Sequence, residues 1–257
     1  MEKLLGLPEL ASVHGKDVDN LIIYVHYLMG ALFVGWTAYF FYSIWRFRQS
    51  RNPKADYVGV TNHSSNYIEG AVVVVEAVLL LVFAVPLWAR AVDDFPAEDK
   101  SVVVRVTGRQ FNWIARYAGP DGTFGKQDAR LATKDNVMGI IAKDPKRGAE
   151  DPAGKDDVVV ETSDVVVPVN TNIVMHVSSL DVIHSFKVLA LRMTQDAIPG
   201  MSIPVHFVAT KTNTYQINCA QLCGNGHSGM KGRISIVPYD QYTNWVASKS
   251  GPAVSFE

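Results

Sequence analysis

An uncharged segment near the amino terminus limits most strongly what this chain can fold into. It runs from Leu21 to Trp45, 25 residues without Asp, Glu, Lys or Arg. As an α-helix rising about 1.5 Å per residue, it is long enough to cross a hydrocarbon layer about 30 Å thick. A second segment, from Gly70 to Ala89, has 20 residues and one acid, Glu76. A buried helix of a large soluble protein is the alternative, but length and lack of charge favour two membrane spans.

The loop between the two spans predicts their orientation. It carries four basic residues near the first span, Arg46, Arg48, Arg51 and Lys54. Basic loops stay in the cytoplasm, so both termini are expected on the periplasmic side of a bacterial-type inner (plasma) membrane. Residues 1–20 are then an external segment, and they do not resemble a cleavable signal peptide.

The composition indicates two unlike parts and excludes several classes of protein. The mean hydropathy of +0.07 is too low for a chain with many spans and high for a soluble one. The net charge of −1 gives no bulk attraction to nucleic acid. The two cysteines exclude a disulfide-dense secreted scaffold.

From about residue 93 the pattern changes to short segments rich in β-branched and aromatic residues, which predicts an all-β sandwich or barrel. Residues 119–157 interrupt this pattern with turn-forming sequence and are expected to be a long surface insertion. Its acidic part is either a solvated loop or a docking surface for a basic partner. A short helix is expected over residues 239–248. The predicted strands are 102–106, 111–117, 165–169, 173–177, 203–209, 214–218 and 233–237.

Four metal-ligating residues fall within twelve positions near the end of the chain. They are Cys219, Cys223, His227 and Met230. Soft sulfur ligands combined with imidazole favour copper, zinc or iron–sulfur clusters. Two cysteines four positions apart could each bridge two metal ions, and a binuclear copper site would then need one further histidine.

Three histidines upstream are candidates for that ligand. His184 lies in a loop or strand-end context, whereas His176 and His206 fall inside apolar strand patterns. Two alternatives for the cysteines stay open, a Cys219–Cys223 disulfide and a tetrahedral zinc site. The sequence has no Cys-x-x-Cys-His motif, so no covalently attached c-type haem is expected.

The spacing Cys219-x-x-x-Cys223-x-x-x-His227-x-x-Met230, with Asp181-Val-Ile-His184-Ser upstream, resembles subunit II of the haem–copper oxidases. The similarity is to the cytochrome c oxidase branch, which carries the binuclear copper A centre. It implies a two-helix transmembrane hairpin over residues 21–92, followed by an all-β cupredoxin-like (Greek-key) domain over residues 93–257. It also implies the metal ligands: His184, Cys219, the backbone carbonyl of Gln221, Cys223, His227 and the weak ligand Met230.

The sequence departs from the family pattern at several positions. Gln221 stands where the family usually has Glu, whose side chain helps to bind Mg or Mn at the interface with subunit I. A neutral amide is a poorer ligand for such a hard cation. Phe111 replaces the first Trp of the motif implicated in electron input, and Trp113 keeps the second. Residues 194–200 resemble the family's loop against subunit I.

Two acids in or near the second span are candidates for proton uptake. Glu69 and Glu76 are seven residues apart and therefore share a helix face. An ionisable residue within a span is a functional candidate by default. The family's proton-pathway Glu matches Glu69. The alternative for Glu69 is a solvated carboxylate at the helix start. The alternative for Glu76 is a buried acid that is hydrogen-bonded to a neighbouring subunit.

The resemblance implies an electron-input subunit of a proton-translocating terminal oxidase that has no oxidase activity alone. The implied partners are subunit I, subunit III, membrane lipid and a cytochrome c or equivalent donor. Three other functions are the alternatives. A quinol oxidase subunit II typically lacks the copper ligands, and the propeller domain of a nitrous oxide reductase does not fit in this length. The third alternative is a membrane-anchored copper carrier or assembly protein.

Overall fold

The computed structural model describes residues 4–54, 56–59 and 61–250. The chain divides into two compact units, one built mainly from residues 16–93 and the other from residues 8–15 and 94 onward. The last seven residues of the predicted 93–257 domain lie outside the described part.

The first unit is an antiparallel pair of apolar helices. Both are long and apolar enough to cross a membrane, and their apolar windows are not buried inside the protein. The rings of Tyr24 and Phe83 meet edge to face at 5.4 Å, and Arg90 forms an exposed 3.4 Å ion pair with Asp17. The helical segments are α1 (Gly15–Phe47), α2 (Ser64–Val78), a π-helical segment (Leu79–Ala84) and α3 (Val85–Val92).

Helix α1 begins six residues before the predicted span. The predicted span began at Leu21 because the uncharged segment begins there. A helix can continue through charged residues, so α1 begins earlier than the span. Asp17 lies in the first turn, where a carboxylate interacts favourably with the helix dipole. Residues 15–20 of the predicted external segment are therefore helical.

The second unit contains two five-stranded sheets among the described residues. The first has the strand order β3-β2-β1-β5-β8 and the second β4-β10-β9-β6-β7. A short helix, α4 (Tyr239–Lys249), follows the last strand. The strands are β1 (Val102–Arg109), β2 (Asn112–Tyr117), β3 (Val158–Val160), β4 (Asp164–Pro168), β5 (Asn172–Ser179), β6 (His184–Val188), β7 (Met193–Ala197), β8 (Ile203–Val208), β9 (Asn213–Cys219) and β10 (Lys231–Val237).

The two sheets enclose one hydrophobic core, as alternating apolar positions in the strands require. Strand β1 pairs in parallel with β5, and β4 pairs in parallel with β10, while the other neighbours are antiparallel. Trp113 from the first sheet and Phe186 from the second are both fully buried, with their rings edge to face at 5.2 Å. The all-β prediction for this part is confirmed.

Three strands were missed in the sequence. Strands β3, β6 and β7 are short, and β7 (Met-Thr-Gln-Asp-Ala) carries mostly polar residues. Their pairing comes from neighbours distant in sequence, which local patterns do not reveal. Phe111 was assigned to a strand but lies in the turn between β1 and β2.

A segment from the amino terminus belongs to the β unit. We name residues 8–13 the strap. The amide of Ala11 donates to Ala190, and its carbonyl accepts from Thr210, both at 2.8 Å. The Ser12 hydroxyl donates to the Leu191 carbonyl at 2.7 Å. The strap is therefore fixed to the sandwich immediately before α1 begins.

The predicted insertion is ordered around a buried ion pair. Residues 118–157 connect β2 to β3 through short 3₁₀ turns. The Arg116 guanidinium, fully buried, donates to the Asp157 carboxylate and to the Gly125 carbonyl. The Gly125 amide donates to the same carboxylate at 3.0 Å. Burial raises the pKa of Asp157 despite the opposing effect of Arg116.

Three acids of the insertion that were considered for a docking surface make contacts within the protein. Asp151 and Asp157 are buried, and Asp151 accepts a hydrogen bond from the Lys126 amide. The Asp156 carboxylate accepts from the Asp121 amide at 3.1 Å. Asp157 fastens the insertion to β2 through Arg116, whereas Asp151 and Asp156 connect segments of the insertion to each other.

Candidate metal centre

Two segments at one end of the sandwich carry the predicted metal ligands, and a third segment lies against them. The β5–β6 turn ends at His184, the first residue of β6. Strand β9 ends at Cys219, and the loop that follows returns at Met230 to begin β10. The β1–β2 turn, residues 110 and 111, lies against this loop. The antiparallel pairing of β6 with β9, in which Phe186 lies opposite Cys219, brings His184 close to Cys219, 35 positions later.

The β9–β10 loop is closed by its own backbone. The Cys219 amide donates to the Met230 carbonyl at 3.2 Å, and the His227 amide donates to Gly224 at 3.0 Å. Gly224 has φ of +130°, a conformation that side chains with a Cβ rarely adopt. The Ala220 amide donates to the Ser185 carbonyl at 2.9 Å, which ties the loop to β6.

The donor atoms form a continuous row. The Cys219 Sγ lies 4.0 Å from His184 Nδ1 and 3.8 Å from Cys223 Sγ. The Cys223 Sγ lies 3.6 Å from His227 Nδ1 and 3.8 Å from Met230 Sδ. The Gln221 carbonyl oxygen is 3.1 Å from Cys219 Sγ. Each sulfur of the central pair therefore has its own histidine and its own weaker donor.

This donor set fits a pair of soft metal ions. Both cysteines are free. Metal–sulfur bonds of about 2.3 Å, as in zinc sites, allow one ion to contact both sulfurs, because the 3.8 Å separation is less than twice that length. Thiolate, imidazole and thioether ligands select copper over hard cations. Burial raises the pKa of the Cys223 thiol to about 11, helped by the adjacent Cys219.

His184 is held in one orientation by its surroundings. Its Nε2 is 2.8 Å from the Asp181 carboxylate, which leaves Nδ1 facing Cys219. A carboxylate behind a metal-binding histidine fixes its tautomer and ring orientation. A Cβ on Gly108 would lie 2.8 Å from the His184 ring, so a glycine here allows β1 to approach. The edge-to-face ring of Trp113 is 5.9 Å away.

The competing histidines lie elsewhere. His176 Nε2 is 2.8 Å from the Glu98 carboxylate, and the His206 ring lies 4.6 Å from the Phe95 ring. The metal-ligand cluster found among the described residues contains His184, Cys219 and Cys223, with ligand atoms within 4.8 Å of one another.

The two aromatic candidates for electron input differ in exposure. The side chain of Phe111 is 40% exposed, and a Cβ on Gly226 would lie 2.5 Å from its ring. Phe111 thus connects the surface to the ligand loop. Trp113 is fully buried beside His184, so it offers no surface to a partner protein.

The remaining predicted residues are the two acids of the second span and the side chain of Gln221. Glu69 and Glu76 both lie on α2. Gln221 is exposed, and its side chain is a neutral amide. An amide oxygen is a poorer ligand for a hard Mg or Mn ion than the carboxylate that the family usually has at this position.

One supporting residue was missed in the sequence. Gln110 donates its backbone amide to the Asp181 carboxylate at 2.7 Å and its side-chain amide to the Cys223 carbonyl at 2.6 Å. A glutamine in a turn gives no local signal of this role, since both partners are distant in sequence.

Comparison with known proteins identifies the family of the β domain and relatives that match most of the chain. Residues 102–237 match the family described as cytochrome c oxidase subunit II, periplasmic domain. The alternative cytochrome c oxidase subunit 2 of Bradyrhizobium diazoefficiens is 28% identical over 232 residues, covering 89% of this chain and 79% of the relative. Cytochrome c oxidase subunit 2 of Cereibacter sphaeroides is 28% identical over 250 residues, covering 95% and 78%.

Among solved structures, the periplasmic domain of subunit II of the Bradyrhizobium japonicum cytochrome oxidase is 27% identical. The structural alignment covers 60% of this chain and 95% of the Bradyrhizobium domain, with a TM-score of 0.41. The family match spans more than half of the chain, from the start of β1 through every predicted metal ligand to the end of β10. The chain therefore belongs to the cytochrome c oxidase subunit II family, whose members are components of an oxidoreductase complex.

Proposed function

We propose that this chain is the electron-input subunit of a terminal haem–copper oxidase. It accepts electrons from cytochrome c or an equivalent donor at a binuclear copper centre. It passes them to haem in subunit I, where oxygen is reduced to water with coupled proton translocation. The observation that carries the proposal is the continuous row of donor atoms through Cys219 and Cys223.

The residues of the chain have distinct tasks at this centre. Cys219 and Cys223 would hold both ions, and His184 and His227 would each hold one. Met230 and the Gln221 carbonyl would supply the weaker contacts. When bound, the copper pair supplies one-electron transfer. Burial shields His184, Cys223 and Met230 from water, while Cys219 and His227 are half-buried. The sheets and the closed loop hold the donors in place, which limits rearrangement between redox states.

The protein surface around this centre, where the electron-donating protein would bind, is almost uncharged. The segment from Cys219 to Met230 contains no Asp, Glu, Lys or Arg. The β5–β6 turn has one acid, Asp181, whose carboxylate is engaged by Gln110 and His184. Phe111 and Leu222 are exposed, Leu222 by 77%. We therefore propose that the cytochrome c or equivalent electron donor binds here mainly through apolar contacts.

Rapid mixing of the assembled oxidase with a reduced, basic c-type cytochrome tests this function. We expect copper to be reduced before haem. We also expect the second-order rate to change less than about threefold between 0.01 and 0.15 M salt, where the Debye length falls from about 30 to 8 Å. A change of tenfold or more would indicate electrostatic steering and contradict the apolar surface. Haem reduction without prior copper reduction would contradict the proposed function itself.

The strap supports the proposed membrane topology. It is fixed to the β unit and continues directly into α1, while the β unit resumes at residue 94, just after α3. Two crossings return the chain to the side on which it began. The strap and the copper domain are thus proposed to share the periplasmic side, with the basic 48–54 loop in the cytoplasm. Subunits I and III and membrane lipid are proposed to cover the exposed apolar helices.

Glu69 is proposed to deliver protons to subunit I. Changing Glu69 to Gln removes the exchangeable proton while keeping the size of the side chain. We expect turnover and proton pumping of the assembled oxidase to fall by about tenfold or more, since a positioned proton carrier contributes about 10²–10⁴-fold. Asn66→Ala, in the first turn of the same helix, is the matched control for position, because this side chain carries no titratable proton. Unchanged turnover and pumping in Glu69→Gln would exclude this role.

A further inference from the structure

The β1–β2 turn holds both ligand-bearing segments of the metal centre. Its residue Gln110 lies between the β5–β6 turn and the β9–β10 loop. The Gln110 backbone amide donates to Asp181 Oδ2 at 2.7 Å, while Asp181 Oδ1 lies 2.8 Å from His184 Nε2. The Gln110 side-chain Nε2 donates to the Cys223 carbonyl at 2.6 Å. One residue thus connects the histidine of one segment to a cysteine of the other.

The surroundings of Gln110 are shaped to permit this contact. A Cβ on Gly224 would lie 2.8 Å from Gln110 Nε2 and 3.2 Å from the Phe111 ring. The glycine after Cys223 therefore leaves the space through which the amide reaches the carbonyl. Gly226 leaves similar space for the Phe111 ring. Glycine at both positions lets the turn lie directly on the loop.

We propose that Gln110 is a positioning residue for the copper pair, an inference that rests on the proposed function. By fixing the Cys223 carbonyl, its amide fixes the backbone that places Cys223 Sγ 3.8 Å from Cys219 Sγ. Through Asp181 the same residue is coupled to the orientation of His184. Groups that orient metal ligands from behind typically change metal affinity by about 10- to 100-fold when removed.

The chemistry of the contact specifies glutamine. The acceptor is a carbonyl oxygen, so the partner must donate a hydrogen bond. An amide does so, whereas an ionised carboxylate only accepts. Glu at this position would keep the size of the side chain and lose the contact. The backbone bond from Gln110 to Asp181 survives either substitution, so the test isolates the side-chain contact.

The test uses the full-length, copper-loaded chain in detergent and the variants Gln110→Ala and Gln110→Glu. Asn112→Ala is the matched control, because the Asn112 amide lies in the same hairpin but donates to the Glu161 carbonyl at 2.8 Å, away from the ligand loops. The readouts are the rate of copper loss to a chelator and the copper hyperfine pattern in the EPR spectrum. Thermal unfolding of the copper-free chains reports on general stability.

Both Gln110 variants should lose copper about 10- to 100-fold faster than the wild type and show an altered hyperfine pattern. Asn112→Ala should match the wild type in both, and the copper-free variants should unfold at similar temperatures. Wild-type rates and spectra in Gln110→Ala, or equal losses in Asn112→Ala, would overturn the inference alone. A wild-type chain that binds no copper pair would overturn the proposed function as well.

Discussion

Replacing either cysteine by serine should abolish the binding of two copper ions by the full-length chain. Cys219 Sγ and Cys223 Sγ are the central atoms of the donor row, each within 4.0 Å of a histidine nitrogen. A hydroxyl matches the size of a thiol but is a poor ligand for a soft metal ion. Copper content and EPR spectra of Cys219→Ser and Cys223→Ser, compared with the wild type, measure the effect.

Met230→Leu is the control for this experiment. Leucine fills a similar buried volume and leaves both sulfurs and both histidines in place. The variant should keep two copper ions while its spectrum shifts, because only a weak donor is lost. A Cys223→Ser chain with two coppers and the wild-type spectrum would show that the sulfurs do not hold the pair.

Replacing Asp157 by alanine should lower the free energy of unfolding of the β unit by about 3–5 kcal/mol. The substitution leaves the Arg116 guanidinium fully buried without its carboxylate, and removing one partner of a buried ion pair costs about that much. It also removes the acceptor of the Gly125 amide. Denaturant unfolding of the full-length chain in detergent, followed by tryptophan fluorescence, measures the change.

An exposed ion pair in the same unit provides the comparison. Arg233 Nε lies 2.9 Å from Asp164, and the Arg233 side chain is largely exposed. Arg233→Ala should cost only about 0–1 kcal/mol, because solvent screens such pairs. Equal losses for Asp157→Ala and Arg233→Ala would show that the buried pair does not anchor the insertion.

Local sequence was sufficient to predict the features that depend on local chemistry. Length and lack of charge located two apolar helices, and short segments rich in β-branched and aromatic residues located seven of the strands in part. The ligands from Cys219 to Met230 lie in one loop, so their spacing was visible in the sequence. The fold class, two apolar helices followed by a cupredoxin-like domain, is confirmed by the family match.

The features that were missed depend on contacts between distant residues. The residues alone favoured His184 over His176 and His206 through its loop or strand-end context, and the resemblance then assigned it as a ligand. Gln110 supports the metal centre through partners 71 and 113 positions away. The strap pairs with residues about 180 positions later. The acids of the insertion looked solvated, because a buried Asp–Arg pair has the same composition as an exposed one.

Metal content and the EPR spectrum of the wild-type, full-length, copper-loaded chain test the central claim most directly. The account predicts two copper ions per chain and one unpaired electron shared by both nuclei. A single copper ion with a mononuclear spectrum, or a chain that binds none, would contradict an electron-input centre built on Cys219 and Cys223. The fold would remain, and the function would move toward a copper carrier or assembly protein.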